Sequence, residues 1–185
     1  MRATAFVSYY LSRLALIALI FGLAGCASMS KDECLTANWN EVGLRDGQNG
    51  EARGMFSSHV KACKEAGVIP DRNQYMAGYE RGIVRFCVPS TGLEVGRRGR
   101  SYETGTCSLA QEPAFLAAYR RGYDVYRAQQ EVDRVNSRMR DTQNRLNSTK
   151  DEARRKELRR DLRDMDRDIW MARERLRDAE RWAYQ

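Results

Sequence analysis

His59 is the only histidine in the 185 residues, so any Ser-His-Asp or Cys-His arrangement for acyl transfer would have to be built on it. It stands in Ser57-Ser58-His59-Val60-Lys61-Ala62-Cys63, one helical turn before a cysteine. No GxSxG, HExxH, Walker or GxGxxG pattern accompanies it, so a packed or surface helix histidine is expected rather than a base. Acidic pairs such as Asp32-Glu33 fall where helices should start, where carboxylates favour the helix dipole. Neither an enzyme nor a cofactor is expected. Cys34, Cys63, Cys87 and Cys107 are far from a CxxC…CxxC spacing, so zinc is not expected either. An even set of four cysteines in an exported chain reads as two disulfides, with three connectivities possible. Cys34–Cys63 and Cys87–Cys107 are favoured because each pair brackets one short segment.

The second candidate chemistry is anion binding. Residues 88–106, between Cys87 and Cys107, are rich in glycine and lack a helical period, which predicts a turn-rich loop or small hairpin. Arg97, Arg98 and Arg100 sit there beside Tyr102. Guanidinium forks and main-chain N–H groups on such a loop could hold an anionic envelope ligand. An ordinary solvated loop tip is the plainer alternative.

The third candidate is Cys26. Met1–Arg13 carries Arg2 and Arg13 and no acid, and Leu14–Leu23 is an apolar run of 10 residues. A membrane span needs about 20, so this run fits the core of a signal peptide. It ends in Leu23-Ala24-Gly25-Cys26, which resembles the lipobox of bacterial lipoproteins. That resemblance implies cleavage after Gly25 and lipid on the Cys26 thiol and amino group. Several acyl chains tether a protein stably where one does not. Ala27 is not the aspartate that retains some lipoproteins at the inner membrane, so the expected site is the outer membrane, facing the periplasm of a Gram-negative cell.

The mature chain then holds 30 basic and 25 acidic residues. Residues 26–119 are balanced, and residues 120–185 carry the whole excess, 19 basic against 14 acidic. Nucleic acid is not an expected partner outside the cytoplasm. Anionic lipid or an acidic protein would suit the charge, and a solvated helix surface is the plainer reading.

These residues need elements to position them. NEVGLRDG (40–47), YMAGYERG (75–82) and FLAAYRRG (115–122) each set two small residues four apart, on one helix face. Such a face invites close approach of another backbone. Internal duplication and coincidence both explain the likeness, with coincidence slightly preferred. Asp71 and Gln74 suit a helix start, Pro113 a first turn, and Gly67 the end of a helix over 55–66. Tyr75, Tyr79, Phe115, Tyr119 and Tyr123 recur at helical spacing and are expected in the core.

Beyond Gly122 there is neither Pro nor Gly. Val132, Val135, Met139, Thr142, Leu146 and Thr149 follow a three–four spacing. Leu158, Leu162, Met165, Ile169, Ala172, Leu176, Ala179 and Ala183 follow it in a new phase. These are two coiled-coil stripes, and the break at 147–152, with Ser148 and Asp151 as a capping box, predicts a helical hairpin. The two Thr weaken the first stripe, so it should need the second arm or another subunit.

Taken in order, Cys34, Trp39, Gly43, Asp46-Gly47, His59, Cys63, Tyr75, Gly78, Gly82, Phe86-Cys87, Pro89, Gly92, Gly96, Gly99, Tyr102 and Cys107 resemble the bacterial lipoprotein family called domain of unknown function 2799, over about residues 32–125. The resemblance implies an exported, lipid-anchored protein with paired cysteines and carries over no activity. The fold expected is mainly α: signal peptide 1–25, tether 26–31, a small disulfide-linked helical domain with a Gly-rich loop over 32–125, and a coiled-coil hairpin over 126–185. The function expected is that of an envelope interaction or structural protein, with the hairpin contacting a protein partner or another copy. The alternative is a binding module for an anionic envelope ligand through residues 88–106.

Overall fold

The structure, a computed structural model, describes residues 28–185, so Cys26 and the segment before it lie outside the described residues. Seven α-helices and one 3-10 turn occupy these residues, without a strand among them. They are α1 (Lys31–Thr36), α2 (Trp39–Asn49), α3 (Met55–Cys63) with the 3-10 turn Lys64–Ala66, α4 (Arg72–Phe86), α5 (Pro89–Arg97), α6 (Glu112–Ser148) and α7 (Glu152–Ala183).

Local chemistry sets most of the boundaries. Ser30 caps α1, with Glu33 bonding back to the Ser30 N–H; Asn38 caps α2 and Asp71 caps α4. Pro113 lies in the first turn of α6. Gly67 ends the 3-10 turn at φ +68°, where a side chain would be strained. Between α6 and α7 the cap is Asp151, which accepts from the Arg154 N–H. Ser148 is instead the last residue of α6, with its hydroxyl donating to the Arg145 carbonyl, so the box expected from Ser148 does not form.

Two helix pairs make the domain. In the first, Gly43 lies against Tyr75 and Tyr79, and Gly47 against Tyr79 and Ile83. Contacts that advance together along both chains mean that α2 and α4 run parallel. Gly78 and Gly82 face back onto Asn40, Leu44 and Gln48, so the backbones touch through four glycines. In the second pair, α5 and α6, Gly92 lies against Phe115 and Gly96 against Tyr119 and Tyr123, while Gly122 meets Leu93 and Arg97. This pair is also parallel.

The second pair corrects one expectation. Residues 89–97 are helical, not part of a loop. Glycine costs roughly 1 kcal/mol against alanine within a helix, and two of them suppress the helical signal in the sequence. Packing of Gly92 and Gly96 onto α6 overrides that cost. Between Cys87 and α6, Val88 and the stretch from Arg98 to Gln111 remain non-helical.

The pairs repeat each other beyond their glycines. Gly50 (φ +74°) rests on the Phe86 ring as Gly99 (φ +66°) rests on Tyr126. Tyr79 donates to the Glu51 carbonyl at 2.7 Å, and Tyr119 donates to the Arg100 carbonyl at 3.0 Å. A constant offset of 49 residues relates α2 to α5, and one of 40 relates α4 to α6. Segments 75–82 and 115–122 therefore hold equivalent places, whereas 40–47 corresponds to 89–96: one unit is built twice, and that repeat does not account for the likeness of 40–47 to the other two. Cys34–Cys63 ties α1 to the end of α3, and Cys87–Cys107 ties the end of α4 to the segment before α6, in the pairing read from the sequence.

From Gly122 onward α6 leaves the domain without interruption, so the boundary drawn at 125/126 falls inside one helix. Its 37 residues extend for about 55 Å, and α7 returns antiparallel along it. Val132 and Val135 pack on Ile169 and Ala172, flanked by Met139 and Leu176. Thr142 is buried in the seam, as the weak stripe required. Arg155 closes the tip by donating to the Leu146 and Thr149 carbonyls. No described helix is long and apolar enough to cross a membrane.

Candidate functional site

At the core of the first unit α2, α3 and α4 each contribute one polar side chain. Asp46 Oδ2 lies 2.7 Å from His59 Nε2 and accepts a hydrogen bond from the Tyr75 hydroxyl at 2.8 Å. All three residues are buried. His59 Nδ1 faces outward and meets the Ser28 hydroxyl at 3.0 Å. Phe56 and Tyr75 pack around the imidazole, with Tyr75 edge-on to it. With Nε2–H donating to Asp46, a neutral ring leaves Nδ1 to accept the Ser28 proton.

Hydroxyl, imidazole and carboxylate thus stand in the order used to activate a serine. His59 is the packed helix residue expected, but the network it heads was not foreseen. Its members are 13 to 31 residues apart, and no local pattern joins them. The duplication would have exposed them: Asp46 aligns with Val95 and Tyr75 with Phe115, so an acid and a phenol occupy positions that are apolar in the second unit. The neighbouring cleft of about 190 Å³ is walled by Met29, Glu33, Asn38, Val42 and Arg45, not by His59 or Ser28. What the network does visibly is hold Ser28, where the described residues begin, against the core.

The arginines chosen from the sequence are not brought together. Arg97 bonds to the Tyr184 hydroxyl and lies over its ring, so it is engaged by the end of α7. Arg98 pairs with Glu94 one turn back. Arg100 reaches the Asn49 carbonyl at 3.4 Å. Tyr102 points inward, packing at a tilt against Phe115, donating to Glu112 and accepting from the Cys107 N–H. Tyr75, Tyr79 and Phe115 are buried as expected, whereas Tyr123 is exposed.

Several phenols resist ionisation. Burial is the main cause in each, raising Tyr75, Tyr79 and Tyr119, with the Asp46 carboxylate adding to the effect on Tyr75. Tyr102 is pushed up to about 12 by burial and by Glu112, against the opposing bond from Cys107 N–H. A raised folded value means stability that is complete below the ordinary phenol range, near 10, and lost as pH climbs through the folded values. Alkaline titration should therefore show helix content falling above about pH 10 together with a late rise in tyrosinate absorbance. Tyrosinate forming fully before any helix is lost would refute the burial of these rings.

Among the described residues, two parallel small-residue helix pairs, two disulfides and an antiparallel hairpin define an all-helical, disulfide-linked architecture with a buried polar centre. Residues 38–124 match the family model described as protein of unknown function (DUF2799), which supports membership of that family. The match opens on the α2 cap and closes two residues after Gly122, covering both units and stopping short of the hairpin seam. No curated protein and no solved structure matches the chain.

Proposed function

We propose that the protein is a lipoprotein of the outer membrane, held through acyl chains on Cys26, that offers its α6–α7 hairpin to a protein partner in the periplasm. One observation carries the hairpin reading. The seam is satisfied by the two arms themselves, yet Trp170, Met171 and Trp182 stay exposed on α7. A hairpin serving only as a solvated rod gains nothing from indoles in water, and tryptophan is the residue most enriched where binding energy concentrates. The Leu23-Ala24-Gly25-Cys26 sequence supports the anchor. The separate engagements of Arg97, Arg98 and Arg100 weigh against a shared anion site in the domain.

The test is capture of crosslinked partners from intact cells by two variants. Trp170→Glu with Trp182→Glu should keep its helix content and lose roughly 30-fold in affinity, the equivalent of one 2 kcal/mol contact. Replacing Arg97, Arg98 and Arg100 by Ser should leave capture unchanged. Loss of capture only in the arginine variant would overturn the hairpin reading.

A further inference from the structure

We propose that the end of the first unit formed by α1, the C-terminal half of α3 and the turn leading to Pro70 seats directly in the headgroup layer of the leaflet that holds the Cys26 acyl chains. The inference rests on the lipoprotein reading and adds an orientation to it. The chain is part of the fold from Ser28 onward: Ser28 is held by His59, Met29 is buried in the main core and Ser30 caps α1. Only Ala27 separates Ser28 from Cys26. One intervening residue spans at most about 7 Å, Cα to Cα, which is comparable to the thickness of one headgroup layer. There is no slack to lift the domain off the surface.

The elements at that place are suited to the position. Cys34–Cys63 clamps α1 to the end of α3. Leu35, Val60 and Ile69, one on each of the three segments, are exposed. Lys31, Lys61 and Lys64 stand exposed on the same segments, three of the five lysines in a chain whose other basic residues are arginines. Long lysine stems reach from an interfacial position out to the phosphates. Asp32, Glu33 and Glu65 balance their charge, so apolar insertion and the tether, rather than attraction to anionic lipid, set the pose.

The duplication supplies an internal control. Ile69 and Leu109 occupy equivalent positions, three residues before α4 and α6 begin, and are 91% and 92% exposed. Leu109 lies beside the Cys87–Cys107 bond at the far end of α4, roughly 22 Å away along that helix. In the lipidated full-length protein with Trp170→Phe and Trp182→Phe, buried Trp39 remains as the parent's indole; one further indole is introduced by Leu35→Trp, Ile69→Trp or Leu109→Trp, and the parent's emission is subtracted from each. Each variant is reconstituted into phosphatidylcholine vesicles brominated on the acyl chains. Indoles at 35 and 69 should lose about half of their emission relative to unbrominated vesicles, since an interfacial face reaches ~5–10 Å into the headgroup and acyl boundary. The indole at 109 should keep its emission, and added salt should change neither result. Equal quenching at all three positions, in protein whose mass shows acyl chains on Cys26, overturns the docking face alone. Protein lacking acyl mass overturns the lipoprotein reading and the docking face together.

Discussion

Gly43→Ala and Gly78→Ala should each destabilise the protein by about 4 kcal/mol or more, among the largest effects a single methyl group can have. A Cβ on Gly43 would fall on the Tyr75 carbonyl, with the carbonyl carbon at 2.8 Å, and one on Gly78 would fall on the Asn40 carbonyl in the same way. The obstacle is main chain in both cases, so no side-chain rotation relieves it and the two helices must part. Parting them exposes the Tyr75 and Tyr79 rings, which are completely buried. Gly54→Ala is the matched control. Its φ of −65° suits any residue, nothing lies within 4 Å, and the change should stabilise by about 0.4–1 kcal/mol through the unfolded chain. Urea unfolding of the three variants decides the matter; a Gly43→Ala protein within 1 kcal/mol of wild type would be incompatible with the crossing described.

Asp46→Ala should cost about 3–5 kcal/mol, because it strands a buried imidazole and a buried phenol that share one carboxylate. Removing all the polar partners together should hurt less than removing one, since the penalty lies in leaving donors unpaired. The second unit shows which residues to use: its backbone closes around Val95 and Phe115, both inward-facing and neither polar. Asp46→Val with Tyr75→Phe and His59→Leu should therefore recover most of the stability lost in Asp46→Ala. The triple variant should also release Ser28, giving faster amide exchange at residues 28–30 while the remaining helices stay protected. A triple variant less stable than Asp46→Ala would mean that the network contributes more than the absence of orphaned groups.

Much of this was legible in residues close together in the chain. The hairpin was readable because its stripes repeat every three and four residues, and the turn because the phase breaks at Asp151. The face made by Gly43, Gly47, Gly78 and Gly82 was readable from spacing within one helix, although the partner of each face was not. Residues 89–97 misled because glycine is locally a helix breaker, and the packing that rescues it involves residues 115–123, over 20 positions away. The Asp46–His59–Tyr75 centre was invisible for the same reason: each member looks ordinary among its neighbours, and only the superposition of α2, α3 and α4 joins them. The arginines looked like a cluster because they are adjacent in sequence, whereas the end of α5 turns each toward a different partner.

Since α6 is at once half of a glycine crossing and one arm of the hairpin, it is a lever whose short end is locked in the domain. From Gly122 to Ser148 the free arm measures about 39 Å at 1.5 Å per residue, with no Pro or Gly to act as a joint. A small tilt where Gly96 and Gly122 cross is magnified into a sweep of several ångströms at the tip. With no joint in between, a load at the tip is carried along α6 toward the contact between α5 and α6.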